Sequence, residues 1–277
     1  MSRTQVQDAA AALVSLRPAY AEMIAYYAEI FALQEEALPR VRLAPLRLDA
    51  AEVKRRQDRR QPVLPPPEMS FDAAITCRLF VAICRLSAAG GTPLAAAGRT
   101  LEADAGAVVS LSRALLDGGE QELRQAASLR GVAPEALSFF LLHSLRPSLM
   151  RNESRAAALF AAGFPGMRGK CPVCGSPPVL SWIEADGRRS LLCRFCGHRW
   201  AARRCGCPFC EADDPRRLFF RQSEEEPEYR LHFCEGCRSY WKEVDGRLLS
   251  RPAYPTLEHI ASLHLDLLAT RLGYRPL

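Results

Sequence analysis

Eight of the eleven cysteines fall into four Cys-x-x-Cys pairs within one stretch of the chain: Cys171/Cys174, Cys193/Cys196, Cys207/Cys210 and Cys234/Cys237. Random placement at this composition would give roughly 0.4 such pairs in the whole chain. Each pair offers two thiolates on one tight turn, and two pairs complete a tetrahedral cage of four sulfurs. Taken in chain order, Cys171, Cys174, Cys193 and Cys196 form the first cage, and Cys207, Cys210, Cys234 and Cys237 the second. Gaps of 18 residues (Cys174 to Cys193) and 23 residues (Cys210 to Cys234) each have room for a hairpin that returns the second pair to the first. The expectation is a chain holding two metal ions. Four thiolates leave no open coordination position, so the cages read as structural, or as redox-active if the metal is iron. Sulfur ligation suits both zinc and iron. Thiol–disulfide exchange is the weaker reading, because one exchange site needs one pair rather than four.

The remaining candidates are weaker. Cys205 creates an alternative start to the second cage, but only Cys207 repeats the two-residue spacing; Cys205 is read as a bystander, with an exchanging thiol as the other option. His198 and His232 lie beside complete cages and are expected at the surface, and Trp182, Trp200 and Trp241 are expected to cover the sulfurs. Cys77 and Cys84 read as small buried side chains, and His143 has no ligand partner in its neighbourhood.

The net charge of +6 invites a nucleic-acid reading, with Arg188, Arg199 and Arg203 as contacts. Residues 168–247 carry 15 basic and 12 acidic side chains, and eight thiolates around two divalent ions bring the loaded region to about −1. Phosphate binding rests on net cationic contacts, so this region is a poor candidate for it. Residues 1–20 show no basic segment leading into an apolar one, and no apolar run approaches the roughly 18 residues of a membrane helix. The expected compartment is the cytoplasm, where paired cysteines favour metal over disulfides.

Residues 1–165 read as helical. Tyr20–Leu38 carries Ile24, Tyr27 and Phe31 on one stripe, and Phe71–Leu86 is apolar nearly all round, which makes it central. Residues 39–69 read as a long connection, with a basic run from Lys54 to Arg60 and a stiff spacer at Pro65-Pro66-Pro67. Pro134 opens a helix bearing Leu137, Leu141 and Leu145. The breaker-rich segment Gly163–Gly169 marks the clearest boundary. Beyond it the period shortens: Val179–Glu184 and Ser190–Leu192 flank an Asp186-Gly187 turn, Arg217–Arg221 pairs with Tyr229–Phe233 across an acidic loop, and Tyr240–Val244 turns at Asp245-Gly246 into Arg247–Leu249. Thr256 is placed to cap a final helix with Ile260, Leu263 and Leu267 on one stripe.

Cys171-Pro-Val-Cys174-Gly and Cys207-Pro-Phe-Cys210 resemble the knuckles of zinc ribbons and rubredoxins. Together with Leu192-Cys-Arg-Phe-Cys, Trp200, Cys234-Glu-Gly-Cys-Arg-Ser-Tyr-Trp-Lys and Ile260-Ala-Ser-Leu-His-Leu-Asp, their order resembles the FdhE family of formate dehydrogenase accessory proteins over about residues 165–270. The resemblance implies a non-enzymatic cytoplasmic protein that binds the catalytic subunit of formate dehydrogenase before assembly or export. It also implies rubredoxin-like sites at the eight paired cysteines, with iron the preferred metal and zinc the alternative. The expected architecture is α+β: a helical domain over 1–165, four-cysteine modules over 166–203 and 204–250, and a C-terminal helix over 251–277. A zinc-ribbon nucleic-acid binder and an iron electron carrier are the competing functions, and self-association is left open.

Overall fold

Apolar side chains at helical spacing fold the chain up to Ala157 into helices, and the cysteine-bearing stretch beyond it into a sheet. The computed structural model describes residues 2–90, 94–101, 105–160, 167 and 169–276. The helices are α1 (Arg3–Leu16), α2 (Ala21–Ala37), α3 (Ala50–Asp58), α4 (Ala73–Ala89), α5 (Ala95–Leu101), α6 (Ala105–Asp117), α7 (Glu120–Leu129) and α8 (Pro134–Ala157), with α9 (Pro255–Ala261) and α10 (Leu263–Arg271) at the far end. The strands are β1 (Pro178–Ile183), β2 (Arg189–Cys193), β3 (Arg199–Ala202), β4 (Leu218–Arg221), β5 (Tyr229–Cys234) and β6 (Ser239–Asp245). The architecture is α+β.

Local signals set the helix starts. Ser2 and Gln5 form a reciprocal capping box on α1, and the Asp72 carboxylate caps α4 by accepting from the Ile75 N–H. Pro134 occupies the first turn of α8, where its missing N–H costs nothing. This 24-residue helix, about 36 Å long, joins both halves of the molecule. Its N-terminal part buries Leu137, Phe140 and Leu141 among α1, α2 and α4. Further along, Leu145 and Leu149 pack in a second core with Cys171, Cys174, Cys193, Cys196 and Trp200. Ser148 and Asn152 fasten it to the start of α4 by bonding the Asp72 N–H and the Ser70 carbonyl.

The strands form one sheet in the order β3-β2-β1-β6-β5-β4. Neighbours pair antiparallel except β1 and β6, which run parallel with Ser181 opposite Glu243. Two antiparallel three-stranded units, each carrying one cysteine cluster, are joined edge to edge through that parallel pair.

Several sequence expectations need correction. The 39–69 connection contains α3, capped by Asp49, and three residues of its basic run are paired nearby: Lys54 with Asp58, Arg55 with Glu52, and Arg56 with Glu52 and Glu68. The triple proline enters a 3-10 turn over Pro66–Glu68, a geometry that the fixed proline φ also suits, pinned by Arg113 donating to the Pro66 and Met69 carbonyls. Arg247–Leu249 is not a strand; Asp245 turns the chain locally by bonding the Arg247 N–H and guanidinium. The final helix breaks at Ser262 into α9 and α10, so Leu267 falls on the exposed side, and α9 starts at Tyr254-Pro255 without a cap from Thr256. Strand β3, which the sequence does not announce, follows directly on a knuckle. The Gly163–Gly169 boundary lies almost wholly outside the described residues.

Candidate metal centres

The two clusters are built by the same local device used four times. Each takes one knuckle from the loop before a strand and the other from a hairpin turn: Cys193–Cys196 between β2 and β3, and Cys234–Cys237 between β5 and β6. In the first knuckle, the Gly175 N–H bonds back to the Cys171 carbonyl; in the third, Glu211 does the same to Cys207; in the fourth, Arg238 to Cys234. The residue after each second cysteine takes a left-handed φ: 81° at Gly175, 80° at Gly197, 61° at Glu211 and 57° at Arg238. This turn points backbone N–H groups at sulfur. Phe195 and Cys196 donate to Cys193 Sγ at 3.3 and 3.4 Å, and Phe209 to Cys207 Sγ at 3.4 Å.

Within each cluster, the four Sγ atoms all lie within 4.8 Å of one another. Sulfurs from opposite knuckles approach to 3.6 Å (Cys171–Cys196), 3.4 Å (Cys174–Cys193), 3.7 Å (Cys207–Cys237) and 3.6 Å (Cys210–Cys234). A disulfide would need about 2.05 Å. A tetrahedron with metal–sulfur bonds of about 2.3 Å has edges of roughly 3.8 Å, so the spacing is that of a cage around one ion. Burial pushes the Cys171, Cys196 and Cys207 thiols up from their ordinary range. Thiolates crowded this closely need a cation among them, so the donor set fits a metal, whether zinc or iron.

The clusters differ in their surroundings. All four cysteines of the first are buried, whereas in the second Cys210 is exposed and Cys237 half-buried. The first is locked to the helical half on both knuckles, by the loop after α3 and by α8. Val63 and Leu64 donate to the Pro172 and Val173 carbonyls at 3.0 and 2.8 Å, and the Arg146 guanidinium of α8 holds the Arg194 and Phe195 carbonyls. His198, expected at the surface, is buried, its Nδ1 2.7 Å from Glu153 of α8 and its ring stacked on Trp200. Trp200 covers the first cluster and Trp241 the second, as expected. Trp182 packs instead with Leu180, Leu192, Tyr229 and Val244, because β1 aims it at the junction between the two units.

Cys205 is exposed and lies outside both sulfur groups. Cys84 is buried and Cys77 half-buried within the helical core. His143 stands at an aromatic cluster of Tyr27, Phe31 and Phe139, receives the Gln34 amide at Nδ1, and is held neutral by burial, its pKa near 3. It borders a cavity of about 550 Å³ between α2, α8, α9 and the Arg194–Arg199 turn. The proposed nucleic-acid contacts are largely spent, Arg188 on Asp186 and Arg199 on Glu184.

Two polar assemblies escaped sequence reasoning. Glu243 is 1% exposed at the parallel junction, where it meets Arg189 at 2.9 Å, Ser181 at 3.0 Å and His232 at 3.2 Å. His232, also expected at the surface, lies between Glu243 and the Trp241 ring because β5 is an inner strand. Burial pushes the Glu243 carboxyl up, but the His232 hydrogen bond, the Arg189 guanidinium and Ser181 outweigh it and hold the pKa at about 2. In the second assembly, the buried Lys242 ammonium donates to the His259 carbonyl at 2.9 Å and to Asp266 at 2.6 Å, while the Tyr240 hydroxyl donates to Asp266 at 2.8 Å. A cation thus sits at the C-terminal end of α9, where the helix dipole favours it. The Tyr-x-Lys after the fourth knuckle and the aspartate of the terminal segment, read as separate motifs, form one contact.

A family model described as the central domain of FdhE matches residues 170–204, which hold the first cluster. An FdhE homolog of Aquifex aeolicus is 33% identical over 148 residues, covering 52% of this chain and 51% of that protein. FdhE of Escherichia coli O127:H6 is 31% identical over 114 residues, covering 39% of this chain and 35% of that protein. The chain thus spans about half or less of the length of these curated relatives. A crystal structure of FdhE from Pseudomonas aeruginosa superposes with a TM-score of 0.66 at 25% identity, over 100% of this chain and 94% of that one. The chain is thus similar to FdhE proteins in the central-domain signature over residues 170–204, in sequence over about half its length, and in fold over the whole chain.

Proposed function

We propose that this protein is an accessory factor for formate dehydrogenase maturation, which binds the catalytic subunit of that enzyme in the cytoplasm through its metal-stabilised sheet. The observation that carries this reading is the match to FdhE across both the helical half and the cysteine-bearing sheet. The eight paired cysteines hold two ions, one per cluster, with iron preferred over zinc on the resemblance to rubredoxin-like sites. A cage with four protein ligands has no vacancy for water or substrate. Its contribution is to fix the knuckles and the strands that grow from them, and an iron occupant would add a one-electron couple. The ion stabilises folding directly, because four thiolates cannot be gathered in this way without it. None of the helices is long and apolar enough to cross a membrane among the described residues.

An anaerobic pull-down of the tagged protein from its native cells, with partners read by mass spectrometry, tests this function. Selective recovery of a formate dehydrogenase catalytic subunit is the expected result. Recovery of nucleic acid with no oxidoreductase would overturn it.

A further inference from the structure

Strand β4 closes one side of the sheet. It pairs with β5 along one edge, with Phe219 opposite Phe233 and Phe220 opposite His232, and no described residue bonds the backbone of its other edge. Its sequence, Arg216-Arg-Leu-Phe-Phe-Arg221, is an unusual one to leave there. Phe219 is 40% exposed and Phe220 54% exposed, on opposite faces. Phe219 stacks on Phe233 and meets Tyr274; Phe220 lies against His232 and under the Arg230 guanidinium. Proteins commonly blunt an open edge with charge. Here the arginines flank two exposed aromatic rings instead of replacing them, so the edge keeps both its free backbone groups and an apolar grip.

We propose that β4 is a docking edge where this chain takes an extended segment of its client by strand addition, the segment carrying apolar side chains flanked by aspartate or glutamate. The free backbone edge would supply main-chain hydrogen bonds, Phe219 and Phe220 would grip alternate side chains on the two faces, and Arg221 would select an acidic flank, Arg216 and Arg217 being bridged to Asp214. A second copy of this chain is the poorer occupant. In the antiparallel register centred on Phe219, Arg217 of each copy would oppose Arg221 of the other, and like charges directly opposite destabilise a strand pair.

The edge is tied to the second cluster. Leu218 is paired with Cys234, the Glu235 N–H donates to the Arg217 carbonyl at 2.8 Å, and the Phe220–His232–Trp241 rings run from the edge to the tryptophan that covers the sulfurs. The second cage thus shapes the edge. The identity of the client rests on the proposed function.

The test is photo-cross-linking with the full metal-loaded chain carrying Phe220→benzoylphenylalanine, mixed with the formate dehydrogenase catalytic subunit, alongside capture assays on Arg221→Glu and Phe220→Ser. Both residues are exposed, and metal content and circular dichroism check that neither substitution disturbs the fold. A cross-link from position 220 to the subunit, with capture lowered at least tenfold by Arg221→Glu and retained by Arg221→Lys, is the expected result. If the wild-type chain captures the subunit while both variants capture it equally well and position 220 yields no cross-link, the docking edge is wrong and the accessory function stands. If position 220 joins two copies of this chain, the occupant is wrong. If the wild-type chain captures no subunit, both readings fall.

Discussion

At the scale of single residues, the left-handed position after each second cysteine is where the chain has least freedom. Gly197 has a φ of 80°, and a Cβ there would lie 3.2 Å from the Arg146 guanidinium that clamps the same turn. Gly197→Ala should therefore cost about 1–2 kcal/mol, measurable as a lower denaturant midpoint at unchanged metal content. Glu243 makes a second, opposite kind of prediction. Its native pKa of about 2 lies below the ordinary 4.5, so its stabilisation is fully present above pH 4.5 and is lost as pH falls toward 2. A shift of this size corresponds to about 3 kcal/mol. Both forms carry the same cages, so Glu243→Gln should show a shallower loss of stability than wild type between pH 5 and pH 3 in urea titrations. Equal slopes would mean that the junction does not hold the carboxylate ionised. Nothing in the sequence marks Glu243 or Arg189 as buried, because both look like ordinary charged residues of amphipathic strands. Only the parallel pairing of β1 with β6, distant in sequence, brings them together.

At the scale of elements, the cysteine spacing made the cages legible, since a two-residue gap and a hairpin-length return are local facts. The strands between them were legible for the same reason, with turn signals such as Asp186-Gly187 at their ends. The single sheet was not, because a parallel junction leaves no turn in the sequence between its partners. The break at Ser262 was equally hidden: Lys242 reaches the His259 and Ser262 carbonyls from another element and stabilises the open helix end. Lys242→Met should leave Asp266 and those carbonyls without their cation. The expected cost is about 3 kcal/mol, by analogy with removing one partner of a buried pair, with amide exchange rising across α9 and α10 while the helical core stays protected. Unchanged protection there would show that apolar packing alone docks the terminus.

At the scale of the whole molecule, the two cages hold different things together. The first receives backbone bonds from Val63 and Leu64 and a clamp from Arg146, so it joins the sheet to the helices. The second lies toward the exposed end of the sheet and orders the β4–β5 edge. Cys174→Ser should accordingly raise amide exchange in α8 and in residues 62–65 as well as in β1 and β2, whereas Cys210→Ser should raise it only around β4, β5 and their turn. Identical exchange maps for the two variants would remove the distinction. The proposed pair of ions, each within four thiolates, completes the fold. This is tested most directly by purifying the chain without oxygen and measuring metal per chain together with the X-ray absorption fine structure of that metal. Two ions per chain are expected, each with a shell of four sulfurs at about 2.3 Å. A folded chain with less than one ion and with the eight clustered thiols open to titration would contradict it.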